Sequence, residues 1–177
     1  EWTRDPGEAA VIKEGWGGRR PKKTDPDVWL AAKNGDMDLL KDWKKNGRNV
    51  DQPNGDGTTP LIMAALGGQL EVAKFLVDNK ANVDAMSRDG NAVIHSAAFL
   101  GRINIMKLLV EKGVDVDVKN RDGATAVQIA SQEFSEVTDF MKMVDRMLDL
   151  DLDLEKVAED RKKVVEYLQG LKKNADK

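Results

Sequence analysis

The chain has 177 residues, enough for one domain of ordinary size, a net charge of −3 and no cysteine. The charge indicates no particular partner, and the lack of thiols excludes disulfides, thiolate metal sites and cysteine nucleophiles while leaving the redox compartment open. No apolar run approaches the ~18 residues that a bilayer-spanning helix needs.

Residues 1–24 form an N-terminal arm of their own character. Asp5-Pro6-Gly7-Glu8 can start a short helix, with Asp as N-cap, Pro in the first turn and Glu three residues after the cap. Gly15 would end it. Gly15-Trp16-Gly17-Gly18-Arg19-Arg20-Pro21-Lys22-Lys23 then gives no regular element. The arm is +2, with its charge gathered at Arg19, Arg20, Lys22 and Lys23. These residues and Trp16 are candidate contacts for an acidic partner. Four clustered bases are few for a nucleic-acid footprint, which favours a solvated linker whose Trp16 and Trp2 pack on the repeats or on a neighbour. The chain begins at Glu1 rather than Met, as a fragment or a mature protein freed of a targeting peptide would. The expected compartment is the cytoplasm, or an organelle if such a peptide was removed.

Thr24-Asp25-Pro26-Asp27 offers a cap, a proline in the first turn and acids at the positive end of a helix. It launches Val28-Trp29-Leu30-Ala31-Ala32, and Leu39, Leu40 and Trp43 carry a second helix. From there the sequence repeats. Asp-Gly stands at 56–57, 89–90 and 122–123, each step being 33 residues. Ala31-Ala32, Ala64-Ala65 and Ala97-Ala98 keep that spacing, as do Gly35, Gly68 and Gly101. So do Val50-Asp51, Val83-Asp84 and Val116-Asp117. A fixed period of this size marks a stack of like units, none of which can bury its apolar face alone.

Each unit reads as turn, helix, glycine, second helix and loop. In the second unit Leu61, Met63, Ala64 and Ala65 precede Gly68, and Leu70, Ala73, Leu76 and Val77 follow at helical spacing. Helix pairs are predicted near 27–46, 59–79, 92–112 and 125–148, with a capping helix near 155–172. Val114-Asp115-Val116-Asp117-Val118 alternates, which suggests one arm of a short β-hairpin. Asn54-Gly55-Asp56-Gly57 and Arg121-Asp122-Gly123 have turn chemistry for its tips.

The fourth unit starts regularly at Gly123-Ala124-Thr125-Ala126 and degenerates after Ala130, where Phe134 stands at the expected glycine. Two registers remain open. In one, Val137, Phe140, Met141, Val144 and Leu148 form the unit's second helix, and Leu154, Val157, Arg161, Val164, Val165 and Leu168 form a separate cap. In the other, Val164-Val165 aligns with Val72-Ala73, and residues 133–158 are an insertion.

Thr59-Pro60-Leu61, Ala64-Ala65, Gly68, Glu71-Val72, Leu76-Val77 and Ala81-Asn82-Val83-Asp84-Ala85 closely resemble the ankyrin repeat. The third unit keeps Asp89-Gly90, His95, Ala97-Ala98, Gly101, Lys107-Leu108-Leu109, Gly113 and Asp115-Val116-Asp117. The resemblance covers about residues 25–154, as repeats near 25–55, 56–88, 89–121 and 122–154. Ala92-Val93 replaces Thr-Pro in the third repeat and Ile62 replaces His in the second, which puts individual turn hydrogen bonds in question. The fold implied is all-α: a solenoid of helix-turn-helix units with short β-hairpin fingers, an extended arm at 1–24 and a cap at 155–177.

No catalytic constellation emerges from the residue inventory. His95, the single histidine, sits at the family's habitual histidine position and reads as a structural hydrogen-bonding residue. Asp149-x-Asp151-x-Asp153 begins like a calcium loop, but Leu154 and Asp160 stand where that loop wants Gly and Glu. Neither a phosphate-binding glycine loop nor a Gly-x-Ser-x-Gly turn is present. The resemblance implies a non-catalytic protein-interaction module, an adaptor or scaffold with no cofactor and no small-molecule substrate. Alternatives are a structural subunit bracing a larger complex through its arm, or an anion or nucleic-acid binder working through Arg19–Lys23. In ankyrin-like stacks partners meet the concave face and finger tips. The expected contact residues are Leu66, Met86, Arg88, Asp89, Asn91, Phe99, Leu100, Lys119, Arg121 and Asp122, with Phe99 as the anchor.

Overall fold

A computed structural model describes residues 27–175. The expectations for the arm, including Trp16 and its basic cluster, lie outside the described residues. The described chain forms α1 (Val28–Asn34), α2 (Met37–Lys45), α3 (Pro60–Gly67), α4 (Leu70–Asp78), α5 (Val93–Phe99), α6 (Ile103–Glu111), α7 (Ala126–Ser131), α8 (Phe134–Leu148) and α9 (Leu154–Ala175). The architecture is an all-α solenoid, as the period implies.

The helices start where the sequence can satisfy free N–H groups. Asp27 accepts from Leu30 N and Asp36 from Leu39 N. Thr59 caps α3 with its hydroxyl 3.4 Å from Ile62 N. At α5 the equivalent residue is Ala92, which has no such oxygen. There His95 supplies the other half of the arrangement: its Nδ1 accepts from Ala92 N at 3.0 Å, and its Nε2 lies 3.1 Å from the Val118 carbonyl. At α7 Thr125 and Gln128 form the full reciprocal box. The third unit therefore loses the threonine cap but keeps its turn through the histidine.

Glycine sets the reversals. Gly35 and Gly68 close α1 and α3 in the left-handed conformation, with φ +82° and +72°. The chain then turns back into the second helix of the unit. The inner helices α1, α3, α5 and α7 stack directly on one another, and α4, α6 and α9 stack behind them. Ala31, Ala32, Ala64, Ala65, Ala97, Ala98 and Ala130 are all buried where inner helices approach. Leu40, Leu76, Leu109 and Leu168 fill the layer between inner and outer helices, each at most 1% exposed.

The fourth unit departs for a physical reason. With Phe134 in place of glycine, α7 ends at Gln132 in an extended conformation, φ −57° and ψ 139°. The chain runs on into α8 instead of reversing. The outer position behind α7 is taken by α9, which packs on α7 and α6 as α6 packs on α5 and α4. Arg102 donates to the Leu66 carbonyl, and Arg161 donates to the Phe99 carbonyl, 33 residues further on. Arg161 follows Arg102 by 59 residues, one period plus the 26 residues of 133–158. This geometry matches the register with an insertion, not the one that makes Val137–Leu148 the second helix. Since α9 also closes the stack, its outward face is charged.

The fingers are turns rather than a ladder. Asn54, Ser87 and Asn120 each close a tip by accepting from the glycine three residues on and donating to a carbonyl four residues on. The lone bridge described is Met86 with Ala92. No strand forms among the described residues because the acids between the valines bend the chain. Asp84 N donates to Asn82 Oδ1 and Asp117 N to Asp115 Oδ1, local turns that compete with extension. Adjacent tips are joined through backbone, Arg88 N to Asp56 O at 2.8 Å and Arg121 N to Asp89 O at 3.3 Å.

Candidate binding site

Helix α8 decides which part of the inner face is open. The Phe140 ring meets Phe99, at the end of α5, edge-on with centroids 5.5 Å apart. At the other end of α8 the Lys33 ammonium, projecting from α1, donates to the Leu148 carbonyl at 2.5 Å and the Asp149 carbonyl at 3.2 Å. A cation on those carbonyls suits the negative end of a helix. Fifteen residues at ~1.5 Å rise give about 22 Å, enough to reach back from the fourth unit to the first. Met141 and Val144 on its inward side are 0% and 7% exposed.

This strap covers part of the expected binding face. Leu100, expected at the surface, is 1% exposed, and Phe99 is half-buried beneath Phe140 with the Arg161 guanidinium 5.9 Å from its ring centre. The inserted helix supplies apolar cover that no repeat-based reading of these positions anticipates. Arg161 is 2% exposed and ties the junction together by donating to Phe99 O at 3.3 Å, Ile129 O at 2.7 Å and Gln132 O at 3.1 Å. Burial pushes its pKa, and that of Arg102, below the usual guanidinium value, the Asp160 charge partly opposing the fall at Arg102. Both remain cations.

Where the strap ends, a cleft of about 1030 Å³ opens between α1, α3, the first finger and the C-terminal end of α8. Its walls include Leu30, Leu66, Met147, Asp56, Arg88 and Asp149. Leu30 is 47% and Met147 68% exposed, unusual for large apolar side chains. Of the ten expected contact residues, only Leu66 and Arg88 line this cleft. Met86 is 44% exposed on the second finger; Asp89, Lys119, Arg121 and Asp122 are exposed on the fingers beyond. Asn91 is partly buried and accepts from Asn120 across neighbouring fingers at 3.0 Å. Asp89 and Arg121 join those fingers through their backbones.

The repeat pattern does not single out Leu30, and Met147 lies in a helix whose location depends on the register. Lys33 stands between Ala31-Ala32 and Gly35, a concave-face position of the repeat, and is 7% exposed because it reaches the end of α8. The available signal was the alignment of Val164-Val165 with Val72-Ala73, which places Arg161 at the Arg102 position and frees α8 to cross the inner face.

Among the described residues no helix is long and apolar enough to cross a membrane, and no group of three or more His, Cys, Asp or Glu side chains could hold a metal ion. The family model for ankyrin repeats, in three copies, matches residues 28–120. No curated protein matches the chain.

Proposed function

As the chain belongs to the ankyrin-repeat family, whose repeats generally serve protein–protein interaction, we propose that it is a non-catalytic adaptor or scaffold that takes its protein partner in the cleft beside the end of α8. The observation carrying this reading is the exposure of Leu30 of α1 and Met147 of α8, which line that cleft together with Asp56, Arg88 and Asp149. Exposed apolar anchors within a polar rim are the usual makeup of a binding hot spot. A ligand entering here would bury both anchors while its polar groups met the finger side chains. The partner proposed is a segment of another protein with an apolar side chain at its centre.

Affinity capture with the full chain and two variants tests this. Proteins held by the unaltered chain should be lost with Met147→Glu, which leaves the buried side of α8 untouched. They should be kept with Phe99→Ala, a change beneath the strap that lowers thermal stability instead. Loss with Phe99→Ala and retention with Met147→Glu would return the binding site to the third repeat and refute the cleft.

A further inference from the structure

We propose that this cleft is the seat of the chain's own segment 16–23, Trp16-Gly17-Gly18-Arg19-Arg20-Pro21-Lys22-Lys23. The first argument is position. Asp27, where the described chain begins, itself lines the cleft. Arg19, the far end of the basic cluster, stands eight positions before Asp27, and at most ~3.3–3.6 Å per residue confines the cluster to within about 29 Å of the cleft mouth. Trp16 reaches no further than about 40 Å by the same measure. Such a tether holds the segment at an effective concentration on the order of millimolar, so a weak intrinsic interaction suffices.

The second argument is charge. Segment 16–23 carries four basic residues and no acidic one. The cleft wall presents Asp27, Asp56 and Asp149. Of the two bases in that wall, Lys33 is committed to the Leu148 and Asp149 carbonyls, leaving Arg88 as the other.

The third argument is shape and polarity. Leu30 and Met147 offer the apolar surface on which an indole can lie, and a thioether beside an aromatic ring is a favourable contact. Gly17-Gly18 lets the chain turn between an inserted Trp16 and bases directed at the acidic rim. The segment is thus a tethered ligand of the kind the cleft fits: cationic, with an aromatic residue at its head. The proposal shares its site with the partner reading, but its test needs no partner, so either can fail alone.

The chain has no cysteine and seven methionines, which makes the test direct. Gly18→Cys in the full chain gives a single thiol for a nitroxide label, read against ¹³C-methyl methionine signals. Met63 and Met147 line the cleft, and Met106 lies in α6, outside it. The Met63 and Met147 methyls should show severalfold greater relaxation enhancement than Met106, lost when Arg19, Arg20, Lys22 and Lys23 are all changed to Glu. Equal enhancement at the three methyls overturns the proposal, as does enhancement that survives the charge reversal. Enhancement arising only between labelled and ¹³C-bearing molecules in a mixture would also overturn it, since the occupant would then be a second copy.

Discussion

Replacing Arg161 with Met is the sharpest probe of how the inserted helix is accommodated. The methionine retains much of the apolar stem but removes the donors that serve Phe99 O, Ile129 O and Gln132 O. Hydrogen bonds from a charged donor contribute roughly 1.5–3 kcal/mol each, and a buried acceptor left without a donor costs about 1–3 kcal/mol. The three bonds share one guanidinium, Ile129 O also receives Gln132 N at 3.4 Å, and losing a desolvated charge returns part of the loss. A net destabilisation of about 3–4 kcal/mol follows. Arg102→Met is the internal reference. Arg102 makes one comparable bond, to Leu66 O at 3.0 Å, and its Nε has no partner, so about 1–2 kcal/mol is expected. Urea unfolding followed by far-ultraviolet circular dichroism measures both. Because repeat stacks can unfold in segments, amide exchange should show protection lost first in α9 and retained in α3. If Arg161→Met is no more destabilising than Arg102→Met, the guanidinium does not organise the junction of α5, α7 and α9.

Two further outcomes follow from the turns. Burial holds the His95 pKa below its ordinary value despite opposing hydrogen bonds to the Val118 and Ala124 backbones. The unfolded chain therefore takes up a proton below about pH 6.5 where the folded chain resists it, and stability present above that pH is lost as pH falls through the folded pKa. His95→Gln, which puts at this position the residue type that Gln128 provides in the fourth unit, should keep the turn and flatten the loss below about pH 6.5; an unchanged slope in thermal melts would exclude His95 as its source. Gly90 and Gly123 both have positive φ, but an added Cβ at Gly90 would lie 2.7 Å from Arg121 N, whereas at Gly123 nothing lies within 4 Å. Gly123→Ala should cost about 1–2 kcal/mol from backbone strain alone, and Gly90→Ala about 1–3 kcal/mol more from the clash between fingers; equal melting temperatures for the two would show that the fingers are not in firm contact.

The repeat was legible from sequence because the same short-range physics recurs every 33 residues. Alanine pairs permit close helix approach, glycines in the left-handed conformation reverse the chain, and a polar residue holds each turn. Thr59 does the last job from the cap position, and His95 and Gln128 do it from the position three residues on, so local substitutions did not disturb the fold. A one-residue change of a different kind did. Without a glycine after α7 the chain cannot reverse, yet the α8 stretch has the periodicity of a second helix, and periodicity records an apolar face without saying what covers it. Both registers were written in the chain, but only tertiary packing chose between them, by placing Arg161 on the Phe99 carbonyl and sending α8 across the inner face to Lys33. With α8 in that place Phe99 is half-buried against Phe140, while Leu30 and Met147 stay exposed in the cleft where α8 ends. Sequence determined the unit and its period; which apolar residues remain at the surface depended on contacts more than 100 residues apart, which no local pattern encodes.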